Sequence, residues 1–565
     1  MAEGSIAHQG TASADGLQPG HDIFRTPHND LFYATKLHSE LDPTQHQIRL
    51  VKLWPGTEDD VIECTLLPGV PLVDKKGQYT APSYCAGSAK NTESIILNGK
   101  PFNVFANLAH SLREVRNFWA STHGDRECIL WIDQISTNQS DIKERSHQVR
   151  FMREIYQYAE QVLVCLSTEK VDPRGMNWLV ELARDASFCH LVTKSEVYDD
   201  IPDNQECAEF TKEDIRMLLN RHVYAKAGDE EFFEGWLAFY KVIEAPWFTR
   251  AWVFQEFMVA ANIYFMYSGT FASWRLLYPL WTIVCSWEYY NHPMFGSHTD
   301  DRPAYQSLHR TFRYTRQSGL KPAMDRVTST IDSKVRWHGK KDLISLLRHS
   351  CRCNASDSRD KVFAFIGLAD PAYGILPDYT HPIDQVLIDT TIKIIQTEGS
   401  LEVLRLVADT HHPWHNSTLP SWVLDVTCRE VARSIQRGYL DQEKSRAFIL
   451  TLNTSHGALQ ALQVDGILLD RLLDSSTSGV PVDRFVGDGY YYVSPRGSAA
   501  FCSNPIQNNG EIWILKGCSS PLVLRAHGRY GYTLVSNATM RPFGAEKSLK
   551  WAKERSGGWQ GINIV

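Results

Sequence analysis

The chain has 565 residues, several times what one hydrophobic core needs, so more than one folding unit is expected. Its 43% hydrophobic and 11% aromatic content excludes the low-hydrophobicity class of disordered proteins, and a formal charge of −7 over this length excludes a polyanion-binding field across the whole molecule. Twelve scattered cysteines, with Cys351 and Cys353 the only close pair, show neither paired zinc spacing nor a small disulfide framework, and they read as thiols of a reducing, cytoplasmic compartment.

Residues 1–45 begin with a small, polar run that carries no core and read as a flexible tail and lead-in. The start has no basic segment followed by an apolar stretch, and no run of about 18 apolar residues occurs, so no membrane partner is expected. Gln47–Trp54 and Val61–Leu67 read as strands joined through Pro55-Gly56, followed by a strand over Tyr79–Cys85. Asn98-Gly99, closing the apolar Ser94–Leu97, predicts a hairpin, because both residues tolerate positive φ. A helix is expected from Asn107 to Trp119. Cys128–Ile132 is a continuous apolar run suited to a strand covered on both faces, a helix follows over Asp141–Ala159, and Gln161–Leu166 returns to a strand. Strand, helix and strand make a βαβ unit, which crossover rules place in a parallel sheet, so 46–200 is an α/β domain.

Residues 201–400 read as helical, with Trp236, Trp247, Trp252, Trp274, Trp281 and Trp287 mostly in the core. Within them, 302–341 holds ten Lys/Arg against Asp325 and Asp332. Its cations (Arg302, Arg310, Arg313, Arg316, Lys321, Arg326, Lys334, Arg336, Lys340, Lys341) with Tyr305, Phe312, Tyr314 and Trp337 between them are suited to RNA phosphate and base stacking, or form a solvated loop. Helices over Asp342–Arg348 and Ile383–Thr397 follow. Short strand-like runs, among them Leu459–Val464, Tyr490–Val493, Ile512–Leu515, Leu522–Leu524 and Tyr532–Val535, make 401–565 a β-rich domain.

Several of these segments together resemble the fungal heterokaryon-incompatibility (HET) domain family. Tyr79-Thr80-Ala81-Pro82-Ser83-Tyr84-Cys85-Ala86-Gly87 stands where the family reads roughly Tyr-x-Ala-Leu-Ser-Tyr-x-Trp-Gly, and Leu130-Trp131-Ile132-Asp133-Gln134-Ile135-Ser136-Thr137-Asn138-Gln139 is similar to its most distinctive motif. Trp247 to Glu256 is similar to its aromatic-Arg-x-Trp-x-x-Gln-Glu block. Ser358-Arg359-Asp360-Lys361, Pro377-Asp378-Tyr379 and Leu419-Pro420-Ser421-Trp422 look like downstream blocks of large members. Departures fall at Pro82, Ala86, Ser136-Thr137 and Val535-Ser536-Asn537-Ala538; the loss of a tryptophan at Ala86 leaves room for a pocket. The resemblance implies a TIR-like parallel sheet with flanking helices, a role in self/non-self recognition and cell death, other HET or signalling proteins as partners, and, by fold analogy, NAD as a hydrolysed substrate rather than a bound cofactor.

The residues themselves supply candidates. Asp133 leaves the C-terminal end of a buried strand, where open α/β sheets bind ligands, and is suited to a ribose hydroxyl or to base chemistry. Asn138 and Gln139 follow as binders of a polar substrate edge, and Glu144 as a general acid or base; capping roles for Asp133 and Asn138 and a surface pair for Glu144 are the structural alternative. Arg250 and Gln255 are substrate-binding candidates. Glu256, on a helical face with Trp252, is the third catalytic carboxylate, or the partner of Arg250 in a buried pair. Tyr84 can stack on a ring or simply pack. His411, His412 and His415 beside Pro413 lack the spacing of a metal site, so no metal is expected. No phosphate-binding or serine-hydrolase signature occurs. The competing function is a secondary-metabolite transferase or cyclase on the same scaffold, for example one forming cyclic dipeptides from aminoacyl-tRNA.

Overall fold

The computed structural model describes residues 38–184, 229–278, 321–410, 419–428, 447–454, 457–472, 490–493, 499–502, 506, 510–541 and 558–565. The expectations for the tail before residue 38, for Trp281 and Trp287, for the basic and aromatic residues from Arg302 to Arg316 and for His411, His412 and His415 lie outside the described residues.

Among the described residues the first half forms a nine-stranded mixed sheet. Its strands are β1 (Val51–Leu53), β2 (Glu63–Leu66), β3 (Thr80–Tyr84), β4 (Thr92–Leu97), β5 (Lys100–Phe105), β6 (Cys128–Leu130), β7 (Gln161–Cys165), β8 (Ile263–Tyr267) and β9 (Thr270–Ser273). Their spatial order is β9-β8-β7-β3-β6-β1-β2-β4-β5. The four central strands β8, β7, β3 and β6 run parallel. β1 and β9 join their flanks antiparallel. β4 and β5 close through Asn98 and Gly99, at φ 52° and 73°, so the positive-φ pair makes the predicted hairpin. The crossover from β6 to β7 stays within the parallel strands and skips one position, because β3 lies between them. Two expectations change. The helix expected over 141–159 is two, α2 (Ile142–Arg150) and α3 (Met152–Tyr158), broken at Phe151 with φ −119° and ψ 22°. The stretch expected to be helical contains β8 and β9, whose Ser268-Gly269 turn again uses positive φ.

Alternation along the central strands divides the core. Leu163 and Cys165 of β7 face one side with Leu130 and the apolar face of α1 (Ala106–Thr122). Val162 and Val164 face the other, against α3, α4 (Arg174–Arg184), α5 (Glu230–Ile243) and α6 (Ala251–Val259). A sheet covered on both faces needs continuous apolar strands, which is what Cys128–Ile132 and Gln161–Leu166 provide. Beyond α6 lie α7 (Lys321–Val335), α8 (Leu343–Ser350), α9 (Asp360–Ile366), α10 (Ile383–Glu398) and α11 (Val403–Thr410). An eight-stranded, mostly antiparallel sheet spans Phe448 to Ile564 among the described residues, with Leu462, Val464, Trp513 and Leu534 in the same apolar cluster as α8, α10 and α11. The architecture is therefore α/β, with a helical middle and a β-rich end.

Candidate functional site

Pro82 sits inside β3, a strand interior that proline ordinarily avoids because it cannot donate to the ladder. β3 and β6 pair only at Thr80 and Leu130, with Trp131 N donating to Thr80 O at 3.0 Å, and no pairing follows beyond that point. At the C-terminal ends of these two parallel strands lies a cleft of about 380 Å³, lined by the β3 end (Tyr84 to Gly87), by Trp131 and Asp133 after β6, by α2 and α3, and by the segment entering α6. Ala86, where the family carries tryptophan, is in its wall.

Glu256 is buried in α6, reaches the cleft, and accepts from Ser83 Oγ, whose own oxygen accepts from Trp247 Nε1 at 2.8 Å. Burial pushes the Glu256 carboxyl up to about 7, against the Ser83 hydrogen bond and the Arg250 charge that favour ionisation. Arg250 is half-buried and donates from Nη1 to Tyr84 O at 2.8 Å. Its position is fixed because Ala251 N donates to Asn354 O at 3.0 Å, tying the α6 entrance to the loop before α9. The Tyr84 hydroxyl donates to Asp133 Oδ1 at 2.8 Å, and burial, with the Asp133 charge behind it, holds that phenol well above its ordinary range. Asp133 Oδ1 also accepts from Gln134 N at 2.8 Å, and Asp133 is the first residue of the short helical turn Asp133–Ser136, whose N-cap position is Ile132, so it faces the cleft without serving as the expected cap.

Of the candidates, Tyr84, Asp133, Gln139, Arg250 and Glu256 come together in the cleft. Three do not. Glu144 takes a bidentate pair from Arg49, with Nη1 to Oε1 at 2.7 Å and Nη2 to Oε2 at 2.9 Å, and also accepts from Asn138 N. Its carboxylate neutralises a guanidinium that is only 1% exposed, and this side chain is a strut rather than a reacting group. Asn138 spends its side-chain oxygen on Ser140 N and Oγ. Gln255 lies on the other face of α6 from Glu256, against Ala364 O and Arg153 N when its amide is oriented to satisfy both ends.

Asp360 and Tyr379, parts of the downstream family-like blocks, also line the cleft. Asp360, at the start of α9, accepts from Tyr379 OH at 2.6 Å, and the Arg145 guanidinium lies 4.4 Å from the Tyr379 ring centre. Burial, then the neighbouring Asp357 charge, raises the Asp360 carboxyl above its ordinary range. Their only sequence signal was membership of the Ser358–Lys361 and Pro377–Tyr379 blocks. Among the described residues no group of three metal-ligand side chains occurs, and no helix is long and apolar enough to cross a membrane. Of the described cations of the basic segment, Lys334 donates to Met258 O and Ala260 O, and Lys340 pairs with Asp370 at 2.5 Å. Both are engaged within the fold.

A doubly covered mixed sheet whose ligand-sized cleft opens at the ends of two separating parallel central strands defines the class: an α/β domain with a strand-end site. Residues 79–256 match the family model of heterokaryon incompatibility protein (HET), and the chain carries a domain of this family. It is 28% identical over 438 residues to heterokaryon incompatibility protein 6, OR allele, of Neurospora crassa, which covers 70% of this chain. The chain spans 60% of that relative's length. No solved structure matches.

Proposed function

We propose that this is a fungal incompatibility protein, acting with other proteins of self/non-self recognition and cell death, whose cleft cleaves the N-glycosidic bond of NAD. The observation that carries the chemical part is Glu256: a buried carboxyl at the cleft, raised to about 7, beside Asp133 and Arg250. A group balanced near neutrality both holds and accepts a proton efficiently. In the reaction the ribose C1′–N bond breaks and nicotinamide leaves with the electron pair. Asp133 holds a ribose hydroxyl while positive charge develops on the sugar ring. Water adds to C1′ and its proton passes to the Glu256 carboxylate, giving ADP-ribose, nicotinamide and a proton. Arg250 offers its charge to the diphosphate.

The test is incubation of the purified full chain with NAD, following nicotinamide by chromatography. Turnover is expected in the wild type and a fall of about 10²–10⁴-fold in Glu256→Gln, the range of a lost acid–base group. An inert wild type under conditions where its melting transition is intact would overturn the hydrolytic reading.

A further inference from the structure

Two side chains lining the cleft each carry a buried polar atom with no partner among the described residues. Trp131 is 2% exposed, lines the cleft, and its Nε1–H donates to nothing among the described residues. Gln139 is 6% exposed, lines the same cleft, and its Oε1 is unsatisfied. The orientation of that amide is not arbitrary. Gln139 Nε2 lies 2.8 Å from Asp133 O, a carbonyl that can only accept, so the nitrogen must face Asp133 and the oxygen is left over. Burying one donor and one acceptor without partners costs free energy that a structure normally avoids. The two residues are also held in place: the Trp131 ring packs edge-on against Tyr156 at 5.6 Å between centroids, and Gln139 is tied to the residue two beyond Trp131.

We infer that Trp131 Nε1 and Gln139 Oε1 are the two halves of a primary-carboxamide recognition site. Such an amide presents a carbonyl, which accepts from the indole N–H, and an NH₂, which donates to the glutamine oxygen. A carboxylate in its place satisfies Trp131 but sets an anion against the Gln139 oxygen, leaving two acceptors face to face. The inference deepens the NAD reading, on which it rests, because the leaving ring of NAD carries this group; the site thereby selects the amide over the acid. Trp131 and Gln139 are specificity residues in this account, and the bond-breaking groups are untouched by it.

Binding of free nicotinamide and of free nicotinate to the full chain, measured by calorimetry or by intrinsic tryptophan fluorescence, tests this without requiring turnover. Nicotinamide is expected to bind at least about tenfold more tightly, the effect of one mispaired buried polar group. Gln139→Leu, which removes the acceptor at similar volume, is expected to remove most of that preference, and Trp131→Phe to weaken both ligands alike, each variant being checked for an unchanged melting transition. If one variant fails to fold, the wild-type contrast and the other variant still decide. Equal binding of the two ligands, no binding of either, a preference unchanged in Gln139→Leu, or affinities unchanged in Trp131→Phe would overturn the assignment. Hydrolysis of NAD by a protein that does not distinguish amide from acid would leave the enzyme reading standing and remove this one. The amide preference without hydrolysis would do the reverse.

Discussion

Glu256 couples the chemistry of the cleft to the stability of the protein with opposite signs. Its folded carboxyl titrates near 7, against an ordinary value of 4.5, because burial penalises the charged form. Between those values the folded chain holds a proton that the unfolded chain has released. The contribution to stability is therefore complete below about 4.5 and is lost as pH rises through about 7. The wild-type melting temperature is expected to fall relative to Glu256→Gln across that window, and a constant difference between the two proteins would show that Glu256 does not carry the shift. Activity that needs the carboxylate runs the other way, rising with pH through about 7. The residue was legible in sequence as a candidate through its spacing from Trp252. What set its proton affinity was not, since the burial that raises it is built from segments distant in the chain, Ser83 at 173 positions away among them.

At the scale of elements, Glu144 fixes the loop between β6 and α2 rather than reacting. Removing it leaves Arg49 charged and buried, and breaking such a pair costs about 3–5 kcal/mol. Glu144→Ala is expected to lose stability of that order in urea unfolding while the folded fraction keeps its nicotinamide release; lost turnover at unchanged stability would return Glu144 to the reacting groups. α4 and α5 depend on a different device. A Cβ on Gly175 would stand 2.3 Å from Ala238 O, so the two helices approach as closely as backbone allows. Gly175→Ala is expected to destabilise by about 1–3 kcal/mol through overpacking, read from the same unfolding curves, and an unchanged midpoint would mean that the helices part freely. Element types were largely readable from periodicity, as the Asn98-Gly99 hairpin and the two-face coverage of β7 show. The break at Phe151 and the strands β8 and β9 were not, because apolar spacing in a buried segment fits helix and strand alike.

Across the whole molecule, one apolar cluster runs from Ile48 through the helices to Ile564, so the C-terminal sheet is packed into the body of the protein. Polar ties follow the same seam: Leu401 N donates to Gly517 O at 2.8 Å, and Asn537 Nδ2 donates to Arg405 O at 2.8 Å and to Asp409 Oδ1 at 2.5 Å. A fragment ending at residue 440 uncovers Leu401, Leu404 and Leu406 and is expected to lose the cooperative melting transition in calorimetry. A fragment that melts as sharply as the full chain would show that the sheet folds apart from the rest.

By itself the sequence determined the α/β class, most of the strands, the family of the domain and five residues of the cleft, because these depend on local apolar patterning and on motifs short enough to read directly. The tertiary structure alone decided that Glu144, Asn138 and Gln255 serve the scaffold, that Asp360 and Tyr379 reach the cleft, and that Trp131 and Gln139 keep polar atoms without partners. The physical reason is the same in each case: a side chain's partner, burial and proton affinity are set by groups distant in the chain, and spacing along the sequence carries no record of them.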